Sequence, residues 1–392
     1  MLDIQKFRNE TPGCLEVLHF DNAGASLQPD CVYEAVVEYL SCERRIGGYA
    51  AARRYSDQLD SFYDSFSKLL NCAPEEVAFI ENATRAWDMA FYSMNFERGD
   101  RILTAKAEYV SNSLAYLQVA RNKGVIVDVV PNDHTGQLDI ESLEDMIDEK
   151  VKLISITHIP TQGGLVNPAA KIGKIAQRYN IPYLLDACQS VGQMQIDVKE
   201  IGCDMLSGTG RKFLRGPRGT GFLYVKSSMI KKLEPTFIDL RSACWTASDQ
   251  YRIREDAKRF ENWECFFAGK VGLAKAAEYA MSIGLDNIYE RTKNLAQILR
   301  TEIQEIPGVT VHDLGVEKCG IVTFTHNQIP SDVLQKLLAE KQINVSTSTV
   351  SSARWDLEER KLNSLTRASL HYFNTEEEVK IFCKAVVSLM EG

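Results

Sequence analysis

Lys212 stands in a run of small and cationic residues, SGTGRKFLRGPRGTG, that extends from Ser207 to Gly221. Upstream of it, the apolar run Tyr183-Leu184-Leu185 ends in Asp186, followed by Ala187, Cys188 and Gln189. An amine among small residues forms an imine with an aldehyde. A carboxylate at the end of an apolar strand raises the pKa of a ring nitrogen beside it and keeps that nitrogen protonated. Thr209 and Arg211, next to the lysine, supply charge-assisted donors for a phosphate. Amine, acid and phosphate cradle together match the needs of one aldehyde cofactor, pyridoxal 5'-phosphate (PLP), with Lys212 as the imine-forming residue and later a general base at a substrate Cα.

Each residue alone has a plainer reading. A strand-end aspartate commonly caps a turn. A lysine or arginine in a glycine loop commonly faces solvent, which applies to Arg211, Arg215 and Arg218. The run is not a Walker A loop, and Phe213 occupies the third glycine position of a dinucleotide fingerprint. Ala83 and Thr84 fall where a helix starts after a strand, so their N–H groups and the helix dipole form an anion site, although Thr84 read alone is a plain N-cap. Gln189 is placed to hydrogen-bond the phenolic oxygen of the cofactor, and Tyr109 to stack on its ring. Arg367 opens a late strand and offers a bidentate fork to a substrate carboxylate.

These residues need a frame that brings them to one edge. Between about 75 and 225, short β-rich runs alternate with helical patterns. Strands are expected at 76–80, 101–105, 125–131, 151–159, 181–186, 204–209 and 221–225, with helices at 84–96, 111–123, 139–148 and 168–179 between the first five. That alternation predicts a mostly parallel mixed sheet sandwiched by helices, with binding residues beyond the C-terminal strand ends. The last strand follows its neighbour without a helix and is expected to run antiparallel. From about 284 the pattern changes to a long helix (287–305), short strands and a terminal helix from Glu376. This gives a large α/β domain over 20–283 and a smaller α+β domain over 284–392 joined by 1–19. The segment 256–279 reads as helical and bridges them.

The bulk properties narrow the classes. The 392 residues carry a net charge of −8, 45% apolar and 25% charged residues, ordinary for a soluble chain and against general polyanion binding. Ten cysteines show neither zinc spacing nor a disulfide framework, so no metal is expected. No targeting signal or membrane-length apolar run is read, so a cytoplasmic protein with no nucleic-acid or membrane partner is expected.

Taken in order, the segments Phe20-Asp21-Asn22-Ala23-Gly24, Asn82-Ala83-Thr84, Ala107-Glu108-Tyr109, Thr157 to Pro168, Asp186 to Gln189, Thr209 to Lys212 and Arg367-Ala368-Ser369 resemble the class V aminotransferase group of fold-type I PLP enzymes, which includes cysteine desulfurases and selenocysteine lyases. The resemblance covers almost the whole chain. It implies a homodimer, a small amino-acid substrate, a role for Thr161 beside the cofactor, and substrate contacts from Asn22 and Arg367. There are departures from the family's pattern. The loop Val345 to Asp356, where desulfurases of the group carry a persulfide-forming cysteine, has none. Tyr109 stands where a stacking histidine is usual. Arg259 to Glu264 replaces a phosphate-binding Gly-Thr. The Gly-rich run is similar to those of hercynylcysteine sulfoxide lyase and of isopenicillin N epimerase-like members; the resemblance to the lyases implies that a tyrosine near the ring, here Tyr109, protonates the departing sulfur group.

The resulting expectation is a PLP-dependent C–S lyase performing β-elimination on an S-substituted cysteine or cysteine sulfoxide, with Lys212, Asp186 and Tyr109 catalytic. A class V aminotransferase, an epimerase and a non-catalytic binding protein on the same fold are the alternatives.

Overall fold

The computed structural model describes residues 2–389. Seven strands form the central sheet: β1 (Val77–Ile80), β2 (Arg101–Ala105), β3 (Ile126–Val130), β4 (Val151–Thr157), β5 (Tyr183–Asp186), β6 (Met205–Thr209) and β7 (Gly221–Val225). Their spatial order is β1-β7-β6-β5-β4-β2-β3, and only β7 runs against its neighbours. The reversal follows from its connection: residues 210–220 hold no helix and are too few for the crossover that a parallel strand requires.

Side-chain alternation explains why these strands read as continuous apolar runs. Ile154, Leu185, Leu206 and Phe222 pack into one core, whereas Leu153, Leu184, Met205 and Leu223 pack into another on the opposite face. Helices cover both faces: α1 (Asp30–Ile46), α2 (Ser56–Leu70), α3 (Ala83–Phe91), α4 (Val110–Lys123), α5 (Ala169–Arg178) and α6 (Phe267–Ile283). Of these, α1 and α2 pack on α6. Burying one such leucine stabilises the fold by about 1.5–3 kcal/mol.

A second sheet holds β8 (Val309–Val311), β9 (Ile321–His326), β10 (Ser346–Thr349) and β11 (Ser364–Ser369), antiparallel in the order β8-β9-β11-β10. The helices α7 (Leu285–Gln304), α8 (Ser331–Glu340) and α9 (Glu376–Ser388) accompany it. Thr375 caps α9 by accepting from Glu378 N, and the Glu378 carboxylate answers at Thr375 N. The β-rich segment 343–349 is divided between two sheets. Ile343–Asn344 pairs with Leu18–His19, and β10 starts at Ser346.

The helix expected over 256–279 is also divided. A short 3-10 turn at Ala257–Phe260 precedes an extended Glu261, and α6 starts only at Phe267. The buried Glu261 carboxylate explains the break. It accepts from Phe79 N at 2.9 Å and Tyr63 OH at 2.7 Å, which draws the chain against β1. No helix among the described residues is long and apolar enough to cross a membrane.

Candidate active site

The C-terminal ends of the parallel strands converge on one cavity. Asp186 closes β5, Thr209 closes β6, Ala83 and Thr84 begin α3, and Tyr109 precedes α4. All of them line the cavity, together with Thr161, Gln189, Arg211 and Lys212. Asn82, Thr157, Ile159 and Cys188 complete the wall and were not singled out from the sequence. All four stand inside the segments that carry the family resemblance, which was the available signal for them.

Lys212 is buried, and its amine is lowered to about 8, chiefly by desolvation, with Arg211 and Arg367 contributing and Cys188 and Asp186 acting in the opposite direction. A lysine at that level holds a substantial neutral fraction near neutrality, which is the form that attacks an aldehyde. The loop after it is anchored by Arg215, which adopts a left-handed φ of 63°. Arg215 is almost fully buried rather than solvated. It donates to Leu27 O at 2.8 Å, to Thr11 Oγ1 at 2.6 Å and to Tyr372 OH, and it lies 4.5 Å from the Phe373 ring centroid.

The opposite end of the cavity suits an anion. Asn82 caps α3 by accepting from Arg85 N at 2.9 Å, and Ala83 and Thr84 of the first turn, where a helix leaves N–H groups without intrahelical partners, line the cavity. Gly221 permits this approach, since a Cβ there would meet Asn82 C at 2.8 Å and Ala83 N at 3.0 Å. Arg211 donates to Gly24 O, which fixes its guanidinium beside the cavity.

Asp186 accepts from Cys188 N and from Asn112 Nδ2, both at 3.0 Å. Behind it lies Glu108, a buried carboxylate to which the sequence reading gave no role. Arg367 is buried outside the lining and touches it through Thr161: one nitrogen donates to Thr161 Oγ1 at 2.5 Å and another to Asp21 Oδ1 at 3.0 Å. Asn22 is placed elsewhere. It is fully buried outside the cavity lining, and its amide donates to Ser369 O at 2.8 Å. The segment after β10 carries no cysteine, and Ser348 Oγ on β10 donates to Thr161 O at 3.2 Å.

These residues fit PLP. Gln189 Oε1 is buried without a hydrogen-bond partner at the cavity wall, the condition of a polar atom whose partner is a ligand. The donor chemistry agrees: a partly neutral amine, a carboxylate, and a helix start flanked by Thr209 and Arg211.

Comparison with known proteins supports the same assignment. The sequence model of the family described as "Aminotransferase class-V" matches residues 18–382. A probable cysteine desulfurase of Methanothermobacter thermautotrophicus is 28% identical over 380 residues, covering 95% of each chain. The apo structure of a cysteine desulfurase from Thermococcus onnurineus NA1 superposes with a TM-score of 0.92 at 26% identity, covering 100% of this chain and 99% of that one. A mutant of C-DES with glycine covalently linked to the PLP cofactor shares the fold, with a TM-score of 0.87 at 21% identity and coverage of 97% and 98%.

The desulfurase relatives overturn the expectation of a β-eliminating C–S lyase. That expectation rested on the missing thiol in the segment 345–356. The loss of one acceptor from one loop does not decide which carbon–sulfur chemistry the cavity performs, because a sulfur acceptor need not be part of the chain. By sequence from residue 18 to 382, by fold and by the donor set of its cavity, the chain belongs to the class-V aminotransferase family and is a PLP-dependent enzyme.

Proposed function

We propose that the protein is a cysteine desulfurase whose sulfur acceptor is an external thiol. The carrying observation is the single cavity that joins the low-pKa amine of Lys212, the carboxylate of Asp186 and the anion cradle at Ala83 and Thr84. The names of the relatives support the choice of substrate. Bound PLP supplies an electron sink conjugated to the substrate Cα. Lys212 holds the cofactor, then moves the proton at Cα. Asp186 would hold the cofactor's ring nitrogen protonated, and Arg367 would take the substrate carboxylate with its fork. The acceptor thiolate attacks Sγ and the carbon–sulfur bond breaks toward Cβ, which then takes a proton. Cysteine and the acceptor thiol thus become alanine and a persulfide, with no net oxidant or reductant.

Cys188 is the one thiol lining the cavity among the described residues, and burial pushes it well above the ordinary thiol range, with the Asp186 charge adding. A thiol held protonated is a poor nucleophile, which favours an acceptor from solution. Anaerobic incubation with L-cysteine and dithiothreitol tests the reading: alanine and sulfide should appear in equal amounts. Pyruvate and ammonia in place of alanine would refute it.

We also propose a cytoplasmic homodimer, with the large and small domains divided near residue 284. Exposed Phe237 and Leu240 support the dimer: Phe237 stacks on Arg85 of α3 at 4.6 Å, so this apolar surface adjoins the anion end of the cavity. Ten free thiols agree with a reducing compartment. Sedimentation of the holoenzyme at micromolar concentration should give twice the chain mass, and a monomer with full activity would exclude the dimer.

A further inference from the structure

Glu108 lies 2% exposed behind the cavity wall, immediately before Tyr109. Every contact its carboxylate makes is to a neutral donor. Oε1 accepts from Tyr109 N at 2.8 Å, from Asn112 Nδ2 at 2.9 Å and from Thr157 Oγ1; Oε2 accepts from Thr104 Oγ1 at 3.0 Å and from Tyr116 OH at 3.5 Å. Asn112 Nδ2 carries two hydrogens. One goes to Glu108 and the other to Asp186 Oδ2 at 3.0 Å. A single amide therefore bridges two buried carboxylates.

This arrangement has a cost that a purely structural hydrogen-bond hub would avoid. Two carboxylates this close in an apolar setting do not both ionise freely. Burial pushes the Glu108 carboxyl up to about 7 and the Asp186 charge adds to this, against the hydrogen bonds from Thr157, Tyr109 N and Asn112. The other titratable groups that face Glu108 are Tyr116 on α4 and Tyr183 on β5, and burial holds both well above the ordinary phenol range. Glu108 is thus the group among them whose charge changes near neutral pH.

We propose that Glu108, acting through Asn112, is a positioning residue for Asp186: it orients that carboxylate and sets how strongly it retains the proton on the cofactor's ring nitrogen. The proposal rests on the assignment of Asp186 to that nitrogen. Asn112 can donate to both partners only in one orientation, so the bridge fixes the Asp186 side chain. Ionisation of Glu108 places a second negative charge behind Asp186 and tightens the hold on a ring cation. A ring nitrogen titrating on its own loses its proton as pH rises. Here the proton is held more tightly as pH passes the Glu108 transition. Because a ring cation at Asp186 favours the charged form of Glu108, the transition falls at or somewhat below about 7.

The test uses holoenzyme carrying PLP labelled with 15N in the ring. The ring-nitrogen shift is followed by NMR from pH 5.5 to 9 in the wild type and in Glu108→Gln, Asn112→Ala and Asp186→Asn. In the wild type the shift should move toward its protonated value as pH rises through the transition. Glu108→Gln keeps an acceptor oxygen for Tyr109 N and Asn112, and should flatten that step while PLP remains bound. Asn112→Ala should lose the step and release PLP roughly tenfold more readily, since a hydrogen bond to a charged group is lost. Asp186→Asn should shift the nitrogen to its unprotonated value at every pH. If Asp186→Asn leaves the shift unchanged, the assignment of Asp186 itself fails. If Asp186→Asn moves it but Glu108→Gln titrates like the wild type, the role of Glu108 is overturned alone.

Discussion

The Lys212 amine stands 6.0 Å from the centroid of the Tyr109 ring, across the cavity that both residues line. An aromatic face and a partly neutral amine thus meet in the same small volume. Burial sets the amine at about 8, so its reactive fraction increases with pH through that value. Covalent capture of PLP by the apoprotein, fixed with borohydride and measured by peptide mass, should accelerate between pH 7 and 9 and level off above. Lys212→Ala should yield no fixed cofactor, and label on a different lysine would refute the assignment.

Tyr109 makes a separate prediction. Replacing it with phenylalanine keeps the ring face and should change PLP affinity by less than about threefold. Alanine should weaken it by roughly tenfold, the scale of a lost aromatic contact of about 1.5 kcal/mol. Equal losses for both variants, read by fluorescence titration of the apoprotein, would mean that the hydroxyl and not the ring matters.

The cofactor-free protein should show Glu108 in its stability. Its carboxyl is raised from 4.5 to about 7. Between those values the folded chain binds more protons than the unfolded chain, so stability falls as pH rises through the window and stays lower above it. The loss is on the order of 3 kcal/mol. Urea unfolding of the apoprotein at pH 5 and pH 8 should show Glu108→Gln gaining on the wild type at the higher pH. A gap that is the same at both pH values contradicts the raised carboxyl.

Gly221→Ala should damage the anion cradle more than the fold. The added methyl meets backbone atoms of Asn82, Ala83 and Gly208, not a flexible side chain; Gly208 is held in the central sheet by β6, so the start of α3 must move. PLP affinity should fall by tenfold or more, on the order of 1.4 kcal/mol, while pyridoxal without the phosphate should bind nearly as before. Equal weakening of both ligands would place the damage outside the phosphate end.

Arg367 offers two nitrogens that already hold Thr161 and Asp21. Arg367→Ala should raise the KM for cysteine by roughly tenfold to a hundredfold, given the strength of charge-assisted pairs. Lysine should recover little of this because it lacks the planar fork. The absorbance of the bound cofactor should be unchanged in both variants. A spectral change would show that Arg367 supports the cofactor and not the substrate.

The alternation of apolar strands with helical segments could be read directly from the chain, because burial on both faces of a parallel sheet leaves continuous runs such as Tyr183–Asp186. The residues at the strand ends were legible for the same reason: a lysine among glycines and an aspartate ending an apolar run are chemically conspicuous. Tertiary packing decided the rest. Asn22 stands in a recognisable motif, but the fold spends its amide on Ser369 O. Glu261 sits in a helix-like pattern, but three partners distant in sequence draw it into extended backbone. Arg215 reads as a solvated loop residue, but the terminal segments close over it. Asn112 joins Glu108, one helical turn away, to Asp186, 74 positions distant. Local sequence encodes backbone preference and hydrophobic period, whereas a hydrogen bond between remote polar groups exists only once the strands that carry them have been brought side by side.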